Sequence, residues 1–371
     1  MTLGQVFDPR NNALNAWRLV LATGVILWHS WPLGGYTIDF MPIVRLMSEV
    51  WVDGFFAVSG FLITASWLRN PRLREYWTAR FLRIFPGLWV CVLITAFIIA
   101  PLAMLLQGNS VVDLLTSSAP IEYVLNNGVL NAYYAGIDGT PQNVPHAGVW
   151  NGSLWTLAFE MFCYIAVSVL GVIGLLKRRW TIPILFVMAL CWSAYVSYPT
   201  NAMQTWPQML SRFAIMFAAG ALLHRYKDSI PAKWSLVAVG LAVVVASAGL
   251  ANYRVVAALP LAYAIIASGA LLKSQYLNLK TDISYGVYIY AFPIQQLLVI
   301  VGVAAYGPVA LFLAATAITV PLAALSWFVI EKPAMTLKSR LRSKKKDVPP
   351  DEPPVRSPLR ETGALPDSAV G

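Results

Sequence analysis

The sequence predicts an all-α integral membrane protein of about ten transmembrane helices, with N and C termini cytoplasmic and a disordered C-terminal tail. Three observations carry this expectation. Of 371 residues, 58% are hydrophobic and only 12% charged, whereas an ordinary soluble domain is about 25% charged. The apolar residues gather into runs of about 20, the length a helix needs to span a bilayer. Lys and Arg recur in every second connection, which is the signature of a chain threading back and forth with its positive loops inside. The composition argues against a cytosolic enzyme, and 14 Trp with a mean hydropathy of +0.63 make the net charge of +10 a report of orientation rather than of nucleic-acid binding.

Each span is bounded by charged or Pro/Gly punctuation. The first, 13–33, carries Arg18 and lacks a small-residue cleavage pattern, so it is expected to stay as an anchor. The second, 48–69, is followed by Arg72, Arg74 and Arg80, and the third covers 81–106. The connection 107–151 has no Lys or Arg and holds Asp113, Glu122 and Asp138. Lys177, Arg178 and Arg179 separate the fourth span, 152–176, from the fifth, 180–198. Arg225, Lys227 and Lys233 separate the sixth, 207–224, from the seventh, 234–250. Lys273 and Lys280 separate the eighth, 254–272, from the ninth, 283–304, and the tenth, 307–330, precedes a cluster from Lys338 to Lys346. Arg45 and Arg254 are the only basic residues of the opposite connections. The 107–151 loop is therefore expected outside, and the chain in the cell inner (plasma) membrane as a multi-pass protein.

Residues 338–371 hold 13 of the 44 charged side chains and almost no aliphatic content, so a transmembrane domain over 1–337 is followed by a basic, Pro-rich, disordered cytoplasmic tail. Its basic start serves as a stop-transfer signal or touches anionic headgroups. Cys91, Cys163 and Cys191 sit in apolar runs and read as small buried hydrophobes, with no disulfide framework implied. No two of the three His stand at metal-ligand spacing, so no metal is expected.

Ionisable groups inside spans are costly and so mark function by default. Four stand out: Arg18, His29, Asp53 and Glu160. Arg18 and His29 are eleven residues apart, about 20° short of or past three full turns, so they share a face while differing in depth by roughly 16 Å. Asp53, one to two turns into its span, and Glu160, about two turns into its own, bring three titratable groups with His29 to one depth. The plainer readings are a helix-packing His, a snorkelling Arg18, and an Asp53 that salt-bridges neighbouring helices. Arg80 and Arg83 lie three apart on one helical face, where guanidinium forks suit a phosphate, although basic residues at a membrane rim also serve topology alone. The 107–151 loop, with Tyr133, Tyr134, Asn143, His146, Trp150 and Asn151, has the aromatic and amide content of a sugar-binding surface, and interfacial packing explains its Tyr and Trp equally well.

Arg18 with His29, the run Asp53–Thr64 (DGFFAVSGFLIT), Arg80 with Arg83, Ser153–Glu160 (SLWTLAFE), Ile283–Tyr290 (ISYGVYIY) and Trp327–Pro333 (WFVIEKP) stand in the order found in the membrane-bound acyltransferase 3 family, and the chain resembles it over roughly residues 13–335. The resemblance implies an enzyme, an O-acetyltransferase type that moves an acyl group, usually acetyl from acetyl-CoA, across the membrane onto an envelope carbohydrate such as exopolysaccharide or O-antigen. It associates Arg18 and His29 with activity, Arg80 and Arg83 with the acyl-CoA, and Glu160 with the acidic position of its motif. Many members have a His after the aromatic pair of the ninth span, where this chain has Ala291. In the mechanism so implied, His29 is the general base on the acceptor hydroxyl and Glu160 or Asp53 orients it. An acetyl-His29 intermediate is the rival route. The alternative functions are a proton-coupled membrane transporter using the same His, Glu, Asp and Arg set, and a non-catalytic membrane scaffold. No internal repeat supports a transporter of inverted halves.

Overall fold

The computed structural model describes residues 1–131, 134–196 and 205–343, and among them it is helical with no β-strand. Each apolar run of the sequence is a helix, here α1 (Leu14–Leu33), α2 (Val50–Arg69), α3 (Leu73–Leu106), α4 (Trp155–Val172), α5 (Thr181–Tyr195), α6 (Trp206–Arg225), α7 (Trp234–Ser247), α8 (Arg254–Leu271), α9 (Ser284–Ile300) and α10 (Pro308–Ser326). Among the described residues, five helical stretches are long and apolar enough to cross a membrane: Met41–Arg69, Leu73–Leu106, Trp155–Val172, Arg254–Leu271 and Pro308–Leu337. Helices α5, α7 and α9 are apolar but shorter.

Several boundaries differ from the sequence reading. Helix α3 begins at Leu73, so Arg74 to Arg80 form its first turns rather than a connection. The last helix, Lys332–Ser343, runs past the expected start of the tail at 338, while 344–371 lie outside the described residues. Cys191 is exposed, not buried like Cys91.

Lipid supplies no hydrophobic drive between apolar helices, so close backbone packing by small residues has to do that work. It is clearest between α2 and α6. A Cβ built on Gly220 would lie 1.8 Å from the Ala57 carbonyl oxygen, and one on Gly60 would lie 2.0 Å from that of Phe217. The two backbones touch through this reciprocal pair, and Phe56 stacks on Phe213 at 4.0 Å beside it. Two π-helical turns interrupt the register: Thr95–Ile99 within α3 and Trp327–Glu331 after α10. A wider turn of this kind re-aims the residues that follow it and recurs near functional sites. The second one turns Glu331 fully inward.

The 107–151 connection folds over one end of the bundle. It contains short helices Val111–Thr116 and Ala119–Gly128, then a segment held by buried Trp150, whose indole donates to Thr140 Oγ1 at 2.8 Å. Asn151 donates to the Ile289 carbonyl at 2.8 Å, fastening the loop to α9.

Candidate active site

A cavity of ≈ 570 Å³ opens among α1, α2, α3, α4 and α9, roofed by residues of segments 7–15 and 278–280. Arg18 of α1, Arg80 and Arg83 of α3, and Glu160 and Tyr164 of α4 line it. At its open end stand Arg10, Arg69 and Lys280, all exposed.

The charged side chains in and just behind the cavity wall form two groups. In the first, Asp282 Oδ2 accepts from both Arg18 and Arg83, the latter at 2.7 Å. Arg83 also donates to Glu331 Oε2 at 3.3 Å and lies over the rings of Tyr285 and Trp327. Ser284 Oγ donates to Asp282 Oδ1 at 2.6 Å, and Ser326 Oγ to Glu331 Oε1 at 3.2 Å. Two guanidiniums and two carboxyl groups thus pair with one another. Burial works against the charged form of Asp282, which lies in the connection before α9, but Arg18 and Arg83 outweigh it and hold the carboxyl below its usual range.

In the second group, Arg80 has no carboxylate partner among the described residues. Its guanidinium lies 5.0 Å over Tyr76 and 5.6 Å over Tyr164, and its Nε is buried without a hydrogen-bond partner. Among the described residues Glu160 has hydroxyl partners only: Tyr164 donates to Oε1 at 2.5 Å and Ser59 at 3.3 Å. A cation held by ring faces and an acid held by hydroxyls both keep capacity for a ligand.

The structure separates residues that the sequence reading brought together at one depth. Asp53 does not line this cavity. It is fully buried between α2, α6 and α8, where Arg212 Nε donates to Oδ1 at 2.9 Å and Arg254 Nε to Oδ2 at 2.6 Å. Tyr253 adds a hydroxyl donor at 2.5 Å, and Arg254 also reaches Glu49. The reason is azimuth: six residues separate Asp53 from Ser59, so the two side chains point about 120° apart around α2. Arg254 and Arg45, the basic residues that broke the loop pattern, are both buried; Arg45 donates to the Ala248 carbonyl at 3.0 Å.

His29 also lies off the cavity lining, toward the other end of α1 from Arg18. Its ring meets Phe292 edge-on at 5.1 Å, and its Nδ1 is buried without a partner. No hydrogen bond joins it to Glu160. Ala291, in the place of the second His of the resemblance, is buried, and another imidazole, His146, packs on Phe292 at 6.1 Å. Of the loop residues with sugar-binding character, Trp150 and Asn151 are consumed by packing and Tyr134 donates to Glu122 at 2.5 Å, while Tyr133 lies outside the described residues.

Sequence reasoning missed Asp282, Glu331 and Arg212. Asp282 stands one residue before the ISYGVYIY run and Glu331 inside WFVIEKP, so both lay beside quoted motifs but at span ends, where charge is common.

The chain is 29% identical over 340 residues to a protein named O-acetyl transferase from Shigella phage Sf6, covering 89% of this chain and 98% of that one. It is 28% identical over 370 residues to nodulation protein 10 of Rhizobium leguminosarum bv. viciae, covering 91% and 97% respectively. No solved structure matches. Residues 11–328 match the profile of the acyltransferase domain, nearly the whole bundle with its cavity, and the chain belongs to that acyltransferase family.

Proposed function

We propose that this acyltransferase is a multi-pass inner-membrane enzyme that moves an acetyl group from cytosolic acetyl-CoA to a hydroxyl of an extracytoplasmic carbohydrate, such as exopolysaccharide or O-antigen. The observation that carries the reading is the cavity, in which Arg80 is a cation without a carboxylate partner and Arg10, Arg69 and Lys280 stand at the mouth. That combination suits a phosphorylated donor entering from one end. The alternating charges support ten spans with both termini cytoplasmic and the 107–151 loop outside.

In this reading the phosphates of the donor rest against the mouth and Arg80, and Arg83 positions rather than binds, because its fork is occupied by Asp282 and Glu331. An extended pantetheine arm of roughly 15–20 Å bridges the rise of about 16 Å from Arg18 to His29. His29 takes the acceptor proton as the hydroxyl oxygen attacks the thioester carbonyl. A C–O bond forms, the C–S bond breaks, and His29 returns the proton to the leaving thiolate. Glu160 and Tyr164 orient the thioester end of the donor, and Asp53 acts as a strut between α2, α6 and α8.

Incubating membranes that contain the chain with labelled acetyl-CoA tests this. Label should reach the envelope polysaccharide, and His29→Ala should abolish it while the protein still inserts. Transport of a solute without acylation would favour the proton-coupled transporter, and parental transfer by His29→Ala would remove the proposed base.

A further inference from the structure

A second imidazole stands beside His29, brought there by the 107–151 connection rather than by a helix. His146 and His29 both meet the ring of Phe292, at 6.1 and 5.1 Å between centroids, and they are close enough for their charges to interact. The position of His146 is built. Gln296 of α9, fully buried, donates from Nε2 to the carbonyl of His146 and to that of Val149, each at 2.8 Å. Trp150 and Asn151 anchor the residues that follow. Pro145 packs over Gly35, just past the end of α1, where a Cβ would meet its ring at 3.2 Å.

The backbone around His146 is thus fixed while the side chain is not. The residue is exposed, and its imidazole has no hydrogen bond or ion pair among the described residues. A side chain held only by its own backbone and the edge of Phe292, beside a His whose Nδ1 is buried and unpaired, is placed to meet something from outside. It lies at the opposite end of α1 from the arginine-lined cavity, so donor and acceptor would approach from different ends.

We propose that His146 is the acceptor-side imidazole of the acyl-transfer site, accepting from a carbohydrate hydroxyl adjacent to the reacting one and so presenting the reacting hydroxyl to His29. This rests on the reading of His29 as the base. His146 takes no part in the proton transfer: the proton of the reacting hydroxyl passes to His29 and then to the thiolate sulfur, while His146 holds the sugar through the neighbouring hydroxyl. Partial desolvation of its ring lowers the pKa of His146, which keeps it neutral and able to accept from a carbohydrate hydroxyl.

The test uses the full-length protein in proteoliposomes, labelled acetyl-CoA, and polysaccharide isolated from cells lacking the protein as acceptor. His146→Ala should raise the KM for polysaccharide at least fivefold while the KM for acetyl-CoA stays within twofold of the parent. His146→Gln, which keeps a hydrogen-bonding group, should recover part of the difference. Parental kinetics in both variants, with His29→Ala inactive, would overturn the role of His146 alone. Parallel loss of acetyl-CoA binding and transfer in both variants would also overturn it, as the mark of a packing role. Parental transfer by His29→Ala would instead overturn the reading on which it rests.

Discussion

Arg83 Nη2 donates to Asp282 Oδ2 at 2.7 Å, and that same oxygen is the one Arg18 reaches. One carboxylate in the turn before α9 therefore ties α1 to α3. The Arg of the α1 pair and the Arg of the α3 pair, 65 residues apart, meet through a residue that belongs to neither.

Asp282→Asn keeps the shape of this junction and removes its charge, leaving two guanidiniums opposite Glu331 alone. Breaking a buried pair in this way costs on the order of 3–5 kcal/mol. The melting temperature in detergent should fall, and with it the affinity for acetyl-CoA. Because the carboxyl is held below its ordinary value, its contribution is full above the usual carboxylate range and lost as pH falls through the lowered value. Acid sensitivity near that range should weaken in the variant. An unchanged melting temperature would show that the network contributes nothing.

Arg80 and Arg83 should behave differently despite their shared motif. Arg80→Ala removes a cation without an acid partner, so it should weaken acetyl-CoA binding by about 1.5–3 kcal/mol, the worth of a hydrogen bond to a charged group, with little change in stability. Arg80→Lys should recover only part, since a point charge does not stack between Tyr76 and Tyr164 as a planar fork does. Arg83→Ala should lower the melting temperature as well, because Glu331 loses its guanidinium partner and Asp282 keeps only Arg18. Isothermal titration and thermal melts on the same preparations separate the two. Equal stability losses in both variants would contradict the division.

Gly220→Ala should sharply reduce the amount of folded protein, since the new methyl would meet the Ala57 carbonyl at 1.8 Å. Overpacking of this kind typically costs about 1–3 kcal/mol. Gly249→Ala, where a Cβ meets nothing within 4 Å, is the control and should be near neutral. Fluorescence-detected size-exclusion chromatography would report both.

Sidedness follows from the charge pattern and from the donor and acceptor ends proposed above. A single Cys introduced by Asp138→Cys, in a background lacking the three native cysteines, should react with an impermeant reagent in intact cells, since Asp138 is exposed in the 107–151 connection. Protection in intact cells with labelling after lysis would invert the topology and require an acceptor on the cytosolic side.

The sequence by itself determined where helices form and which end of α1 carries Arg and which carries His. Runs of apolar residues are a local property, so α1 to α10 could be read directly from the sequence. The tertiary structure decided who meets whom. Depth along a span follows from counting residues, but the direction a side chain faces depends on how each helix is rotated against its neighbours. That rotation sent Asp53 to Arg212 and Arg254 while Ser59, on the same helix, turned to Glu160. It is set by long-range contacts such as the Gly60–Gly220 crossing, and by the π turn that brings Glu331 to Arg83, as well as by the fastening of the loop that carries His146 to Phe292. These contacts join residues far apart in the chain, and no local pattern encodes them.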